Sequence, residues 1–185
     1  MKRAIRISIL ACAALAVIAS GAPAFAQAPA AAAPSLQGDL LKDWASLKEG
    51  MAKLADAVPA DKYSFKPTPA QQSFGERVVH IATVNNRFLG LLGGKATAPT
   101  VDAKAAVMTK EAAMKAMADS FDYGTALLKE QTDQTLVQSV TAAFMGPSTR
   151  ARVVWFLIGH TWDIYGQMVV YARLNAVTPP ASVRP

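Results

Sequence analysis

Four segments of this chain repeat apolar residues at spacings of three and four, and no segment shows the strict alternation of a half-buried strand bounded by a two-residue Asn-Gly or Asp-Gly turn. A pattern with that one period commits the chain to amphipathic helices that must bury their stripes against one another. The fold class it predicts is all-α, a four-helix bundle.

The first helix is expected from about Ser35 to Val58, with Leu36, Leu40, Trp44, Leu47, Met51, Leu54 and Val58 on one stripe and Pro59 closing it. Pro67 and Pro69, set around Tyr63 and Phe65, make residues 59–72 an ordered connection without helix. Ser73 followed by Glu76 is a capping box, which starts a second helix ending at Gly93-Gly94. Its apolar face is Phe74, Val78, Ile81, Phe88, Leu89 and Leu92. An Ala/Thr/Pro linker spans residues 95–108, and Thr109 then caps a third helix with Met114, Met117, Phe121, Leu127 and Leu128 on one side. Residues 133–140 add a short helical turn, and Gly146-Pro147 breaks the chain. Ser148 or Thr149 opens the fourth helix, which runs to about Asn175 before Pro179-Pro180. The β-formers from Val153 to Ile158 would also suit a buried strand, but helical spacing continues through Tyr171 and decides against it.

The start of the chain has a different character. Lys2, Arg3 and Arg6 precede an apolar run from Ile7 to Ser20, and Ala24-Phe25-Ala26 is a small-x-small cleavage site. The run of about 14 residues is short of the roughly 20 that a transmembrane helix needs, so residues 1–26 read as an export signal cut between Ala26 and Gln27. The expected location is the periplasm or the exterior. Residues 27–34 form an Ala/Pro tether, residues 35–178 the bundle, and residues 179–185 a C-terminal tail. The whole chain of 185 residues carries 19 Lys+Arg against 13 Asp+Glu. Removing the three basic residues of the signal leaves 16 against 13, too little for the clustered basic face that nucleic acid requires. Cys12, the single Cys, leaves with the signal, so the mature chain has no disulfide, thiolate nucleophile or Cys metal ligand. No later segment is apolar enough to span a membrane.

Placed on a wheel at about 100° per residue, Val153, Phe156, Leu157, Ile164, Gln167, Tyr171 and Leu174 of the fourth helix gather around His160. His160 and Gln167 are then polar groups in an apolar stripe. The opposite side carries a second seam of Trp155, Ile158, Trp162, Tyr165 and Val169. Such a seam is covered either by loops of the same chain or by a second copy, in a homodimer through the outer face of the last helix. The other His, His80, lies at the edge of the second helix's stripe. Each His has a carboxylate nearby on its own helix, Glu76 four residues before His80 and Asp163 three after His160. Two His on separate helices can form a metal site in a bundle core. They can equally be unrelated, one at an edge and one satisfied by Gln167 or a Tyr.

The segments PADKYSFKPTPAQQSF (59–74), GERVVHIATVNN (75–86) and HTWDIYGQMVVYARLNAVTPPAS (160–182) resemble the DinB-like superfamily of bacterial four-helix bundles. The resemblance implies a divalent-metal site, zinc or nickel, held by one His on the second helix and an H-x-x-x-H pair on the last, directly before Tyr-Gly. His80 and His160 match two of these positions, and Ile164 stands at the third. Retaining an ion would then require Asp163, Glu76 or Gln167. Family activities implied by the resemblance are metal-dependent thiol transfer and thiol-dependent isomerisation. Two readings follow. One is a binding module with a degenerate pocket around Ile164, Gln167 and Tyr171, holding no metal or a weakly bound one. The other is a metalloenzyme of hydrolase or transferase type using His80 and His160.

Overall fold

A computed structural model describes residues 34–183. The expected export signal, its expected cleavage site and residues 27–33 of the expected tether lie outside the described residues. The chain forms α1 (Leu36–Ala57), α2 (Phe74–Leu89), the short α3 (Ala103–Ala106), α4 (Lys110–Glu130), the short α5 (Asp133–Leu136), strands β1 (Ser139–Ala142) and β2 (Gly146–Thr149), and α6 (Arg150–Leu174). The four long helices are those expected, and their stripes meet in one core that includes Trp44, Leu47, Ile81, Leu89, Phe121, Leu127, Leu157 and Met168. No described helix is long and apolar enough to cross a membrane.

Side-chain caps fix where the helices begin. Ser73 Oγ accepts from the Glu76 amide (3.2 Å) while the Glu76 carboxylate accepts from the Ser73 amide, closing the capping box. Thr149 caps α6 through the Arg152 amide, and Thr109 caps α4 through the Ala112 amide. The α1 N-terminus has a second, tertiary cap: Asp133 accepts from the amides of Leu36 (3.2 Å) and Gln37 (2.9 Å). Gln37 in turn donates to the Leu128 carbonyl at the end of α4 (3.0 Å). At the other end of the bundle Lys110 donates to the Asp56 and Val58 carbonyls, tying the start of α4 to the end of α1.

Those ties define the helix directions. α1 and α6 run one way, while α2 and α4 run the other. α1 packs on α4 and α6, and α2 also packs on α4 and α6, so α1 lies diagonal to α2 and α4 lies diagonal to α6. The 58–73 connection crosses one end, held by Tyr63 Oη donating to the Ala55 carbonyl (2.7 Å) and Tyr171 Oη donating to the Gln72 carbonyl (3.0 Å). The long link after Gly93 and Gly94, both at positive φ, returns the chain along the bundle so that α4 can run parallel to α2.

Three expectations need correction. The 95–108 linker contains α3, because Asp102 accepts from the Lys104 and Ala105 amides and nucleates a turn. The segment read as a helical turn over residues 133–140 is helical only to Leu136, and a two-stranded antiparallel hairpin follows, with Val140 opposite Ser148 and Ala142 opposite Gly146. Its three-residue loop, residues 143–145, is followed at the start of β2 by Gly146 at φ 65°, a geometry that needs no Asn-Gly pair. Finally, residues 59–72, expected to lack helix, contain a 3-10 turn at Ala60–Lys62. Pro179 is buried and Pro180–Ser182 forms a single 3-10 turn against α1.

Candidate functional site at the α2–α6 seam

The buried face of α6 is Val153, Val154, Leu157, Ile158, Thr161, Ile164, Met168, Tyr171 and Ala172. Its centre therefore lies about one residue further round than a wheel centred on His160, for a geometric reason: α6 contacts two helices, α1 and α2, and its stripe widens to meet both. Three assignments change. Ile158, expected on the outer seam, is only 7% exposed and belongs to the core. Leu174, expected in the stripe, is 58% exposed. His160 and Gln167 lie at the stripe's edge, both half-buried.

That edge faces α2, where His80 and His160 meet with ring centroids 5.2 Å apart and planes at 66°. Phe156 stacks on His160 at 5.8 Å and continues into Phe88 and Phe144, an aromatic row reaching from the imidazoles to the hairpin loop. Neither imidazole has a hydrogen-bond partner that would satisfy it: His160 Nε2 is buried and unpaired, as is Arg77 Nε. Gln167, a sequence candidate for His160's partner, instead donates to Asp163 on its own helix (2.9 Å). Tyr171 is committed to the Gln72 carbonyl.

Electrostatics keep both rings neutral. Burial pushes the His80 pKa below the ordinary imidazole value, and the positive charge that would develop on His160, with that of Arg77, adds to the shift. His160 is also lowered, first by burial; Asp163 opposes that and Arg77 reinforces it. Arg77 thus belongs to the site, a residue sequence reasoning passed over. The signal was present: it lies three residues before His80, hence on the same helical face.

The donor set fits the family's three-imidazole site only in part. Two neutral imidazoles at this separation can approach one ion, given bonds near 2 Å. Ile164, at the third position that the resemblance implies, is 2% exposed in the core and has no donor atom. Glu76 is held by Ser73 and by Lys66 (3.2 Å), and its pKa is lowered first by the Ser73 amide. Among the described residues no group of three or more His, Cys, Asp or Glu side chains converges to hold a metal. Arg77 adds a positive charge where a cation would sit.

On its other side His80 opens to a cavity of about 250 Å³, lined by Gln72, Glu76, Val79, Thr83, Ala103, Lys104 and Val107. It exists because α3, inside the 95–108 linker, lies along α2. Of the residues expected to line a pocket, Gln167, Ile164 and Tyr171 are absent from this wall.

The outer side of α6 is split. Tyr165 and Val169 are half-buried, and Tyr165 packs edge-on to Trp162 at 5.3 Å beside Gly50, Pro180 and Ala181. Cover therefore comes from α1 and the C-terminal turn, while the 59–72 connection goes instead to Tyr171, with Phe65 6.2 Å from its ring. Trp155 and Trp162 stay exposed, at 62% and 44%.

The chain is similar to two crystal structures of DinB-like proteins. That from Bacillus cereus is 25% identical, with a TM-score of 0.57, over 80% of this chain and 97% of the other. That from Bacillus subtilis is 20% identical with a TM-score of 0.58, over 76% of this chain and 94% of the other, and it bears on the fold alone. No curated protein matches. A family model described as the DinB superfamily matches residues 45–168, from the middle of α1 through α2 and α4 to Met168 of α6 and so across His80, His160 and Ile164. With four helices in the expected order and that match over two thirds of its length, the chain belongs to the DinB superfamily.

Proposed function

We propose that this protein is an exported binding module built on the DinB bundle, whose inherited metal pocket has become a neutral two-imidazole site flanked by a guanidinium. The observation that carries this reading is Ile164, apolar and buried where a third ligand would stand. A buried Ile packs well and gains by exclusion of water, so the change makes that corner of the pocket core. What remains accessible is the cavity beside His80, where Thr83, Glu76 and Lys104 offer donors and acceptors around Val79 and Val107. This wall suits a small polar molecule with an apolar edge. Export rests on the basic-apolar-small pattern of residues 1–26.

Metal analysis of the purified protein tests the reading. The expected result is substoichiometric zinc and nickel and an unchanged melting temperature on adding either ion. A second reading, a zinc- or nickel-dependent hydrolase or transferase using His80 and His160, is favoured by the unpaired, buried Nε2 of His160, which is an available donor atom. One equivalent of tightly held metal that disappears in His80→Ala would establish that reading and discard the first.

A further inference from the structure

We propose that the outer face of α6 pairs antiparallel with the same helix of a second copy, in one register: Trp155 over Gly166 of the partner subunit, and Trp162 over Gly159 of the partner subunit.

The argument begins with two glycines. Gly159 and Gly166 lie in the interior of a 25-residue helix, where glycine is the least favourable residue after proline. Their own chain gives no reason for them. Neither has a positive φ, and a Cβ built on either would meet nothing within 4 Å. The contrast within the molecule is Gly124 of α4, where a Cβ would drive into the Trp44 ring. Gly124 is required by intrachain packing; Gly159 and Gly166 are shallow hollows on an exposed surface.

Two exposed indoles alternate with the hollows, Trp155 before Gly159 and Trp162 between Gly159 and Gly166. At about 100° per residue, Trp155, Gly159, Trp162 and Gly166 fall within roughly 60° of one another on the helix. Along the axis they alternate as knob, hollow, knob, hollow. A two-fold axis perpendicular to the helix pairs residues whose numbers have a constant sum. Trp155 with Gly166 and Trp162 with Gly159 share one sum, 321, so a single axis places both indoles over both hollows on each copy. A register that met only one pair would leave a Trp against a side chain. The self-complementarity is thus a property of the sequence spacing, and it names the occupant as another copy of this helix.

On the neighbouring α1, Asp39, Lys42 and Asp43 lie beside Trp155, with Lys42 paired to Asp39, and Lys53 lies beside Trp162 paired to Glu49. Antiparallel pairing sets the end with one excess negative charge against the partner's neutral end, so no like charges oppose. Trp is also the residue type most often carrying binding energy at such a contact, and Gly lets two helix backbones approach.

The purified protein, followed by sedimentation equilibrium and light scattering, tests this. The expected mass is that of a dimer. Gly159→Leu and Gly166→Leu, each filling a hollow open within its own chain, should keep the circular dichroism of the parent and weaken association by at least about 10-fold, the effect of losing one hot-spot contact. Gly159→Ala with Gly166→Ala should raise the melting temperature of the monomer while weakening the dimer, two changes of opposite sign that a merely structural role cannot produce. A monomeric parent, or a dimer that survives both leucine substitutions, overturns the proposal.

Discussion

Two seams of the bundle use aromatic rings to join helices, and they are built oppositely. At the α1–α4 seam Trp44 is fully buried, its ring 5.0 Å from Phe121, and its Nε1 donates to the Phe121 carbonyl (3.0 Å). Gly124 lies flat beneath the indole. Every polar atom of the indole is satisfied and no space is left. At the α2–α6 seam His80 and His160 are half-buried, meet edge to face, and leave Nε2 of His160 and Nε of Arg77 unpaired. Unpaired buried donors cost stability that a folded chain recovers elsewhere. The first seam is organised to hold the fold. The second keeps polar groups unsatisfied beside a cavity, which is how a binding site differs from a core.

The comparison breaks most readily at the sealed seam. Gly124→Ala should destabilise the protein by ~3 kcal/mol, since the added methyl has only the Trp44 ring to displace; chemical denaturation measures it. A loss below the effect of an exposed Gly→Ala change would mean that the seam is not close-packed. Next in size, Ile164→His at the open seam should cost ~2 kcal/mol without metal, because it buries a polar ring in place of an aliphatic one. Zinc should then restore the stability in proportion to its occupancy, as any ligand of the native state does. No rescue by zinc or nickel would count against position 164 as the site of a third metal ligand. Trp44→Phe should cost ~1 kcal/mol, the net worth of the hydrogen bond to Phe121, with the ring packing largely kept.

How far these seams were legible in the sequence follows from what each depends on. Trp44, Phe121, Leu157 and Ile164 lie on helical stripes, and a 3.6-residue period exposes them directly. The caps at Ser73, Thr109 and Thr149 are local and were equally plain. The edge of a stripe is harder. His160 shifted to the margin and Ile158 into the core because α6 packs on two helices at once, and no single-helix wheel contains that information. The β1–β2 hairpin and α3 were missed since each rests on one turn residue, Gly146 or Asp102, in a stretch with no period. Arg77 was overlooked because a lone Arg on a helix is ordinarily solvated; only the meeting of α2 with α6 brings its charge to the imidazoles.

The smallest effect concerns pH, and it separates the seams without any mutation at the sealed one. Both imidazoles have folded-state pKa values below the ordinary one, first through burial. The unfolded chain therefore binds more protons than the folded chain as pH falls below the unfolded value, about 6.5. Linkage then gives the sign: stability is full above that pH and declines as the pH drops toward the folded values, below which no further loss arises from these groups. Neutral replacements should remove the decline. In His160→Phe the ring can still stack on Phe156 while its unpaired nitrogen disappears, so the variant should match or slightly exceed the parent at neutral pH and lose stability less steeply on acidification. His80→Gln should flatten the same slope, and the double variant should flatten it further than either single change, since burial, the first cause at both rings, acts on each separately. Unfolding curves at several pH values between neutrality and mild acid measure this. An unchanged slope in both variants would mean that the two rings take up protons in the folded chain as they do in the unfolded one, so that burial at the α2–α6 seam does not act on them.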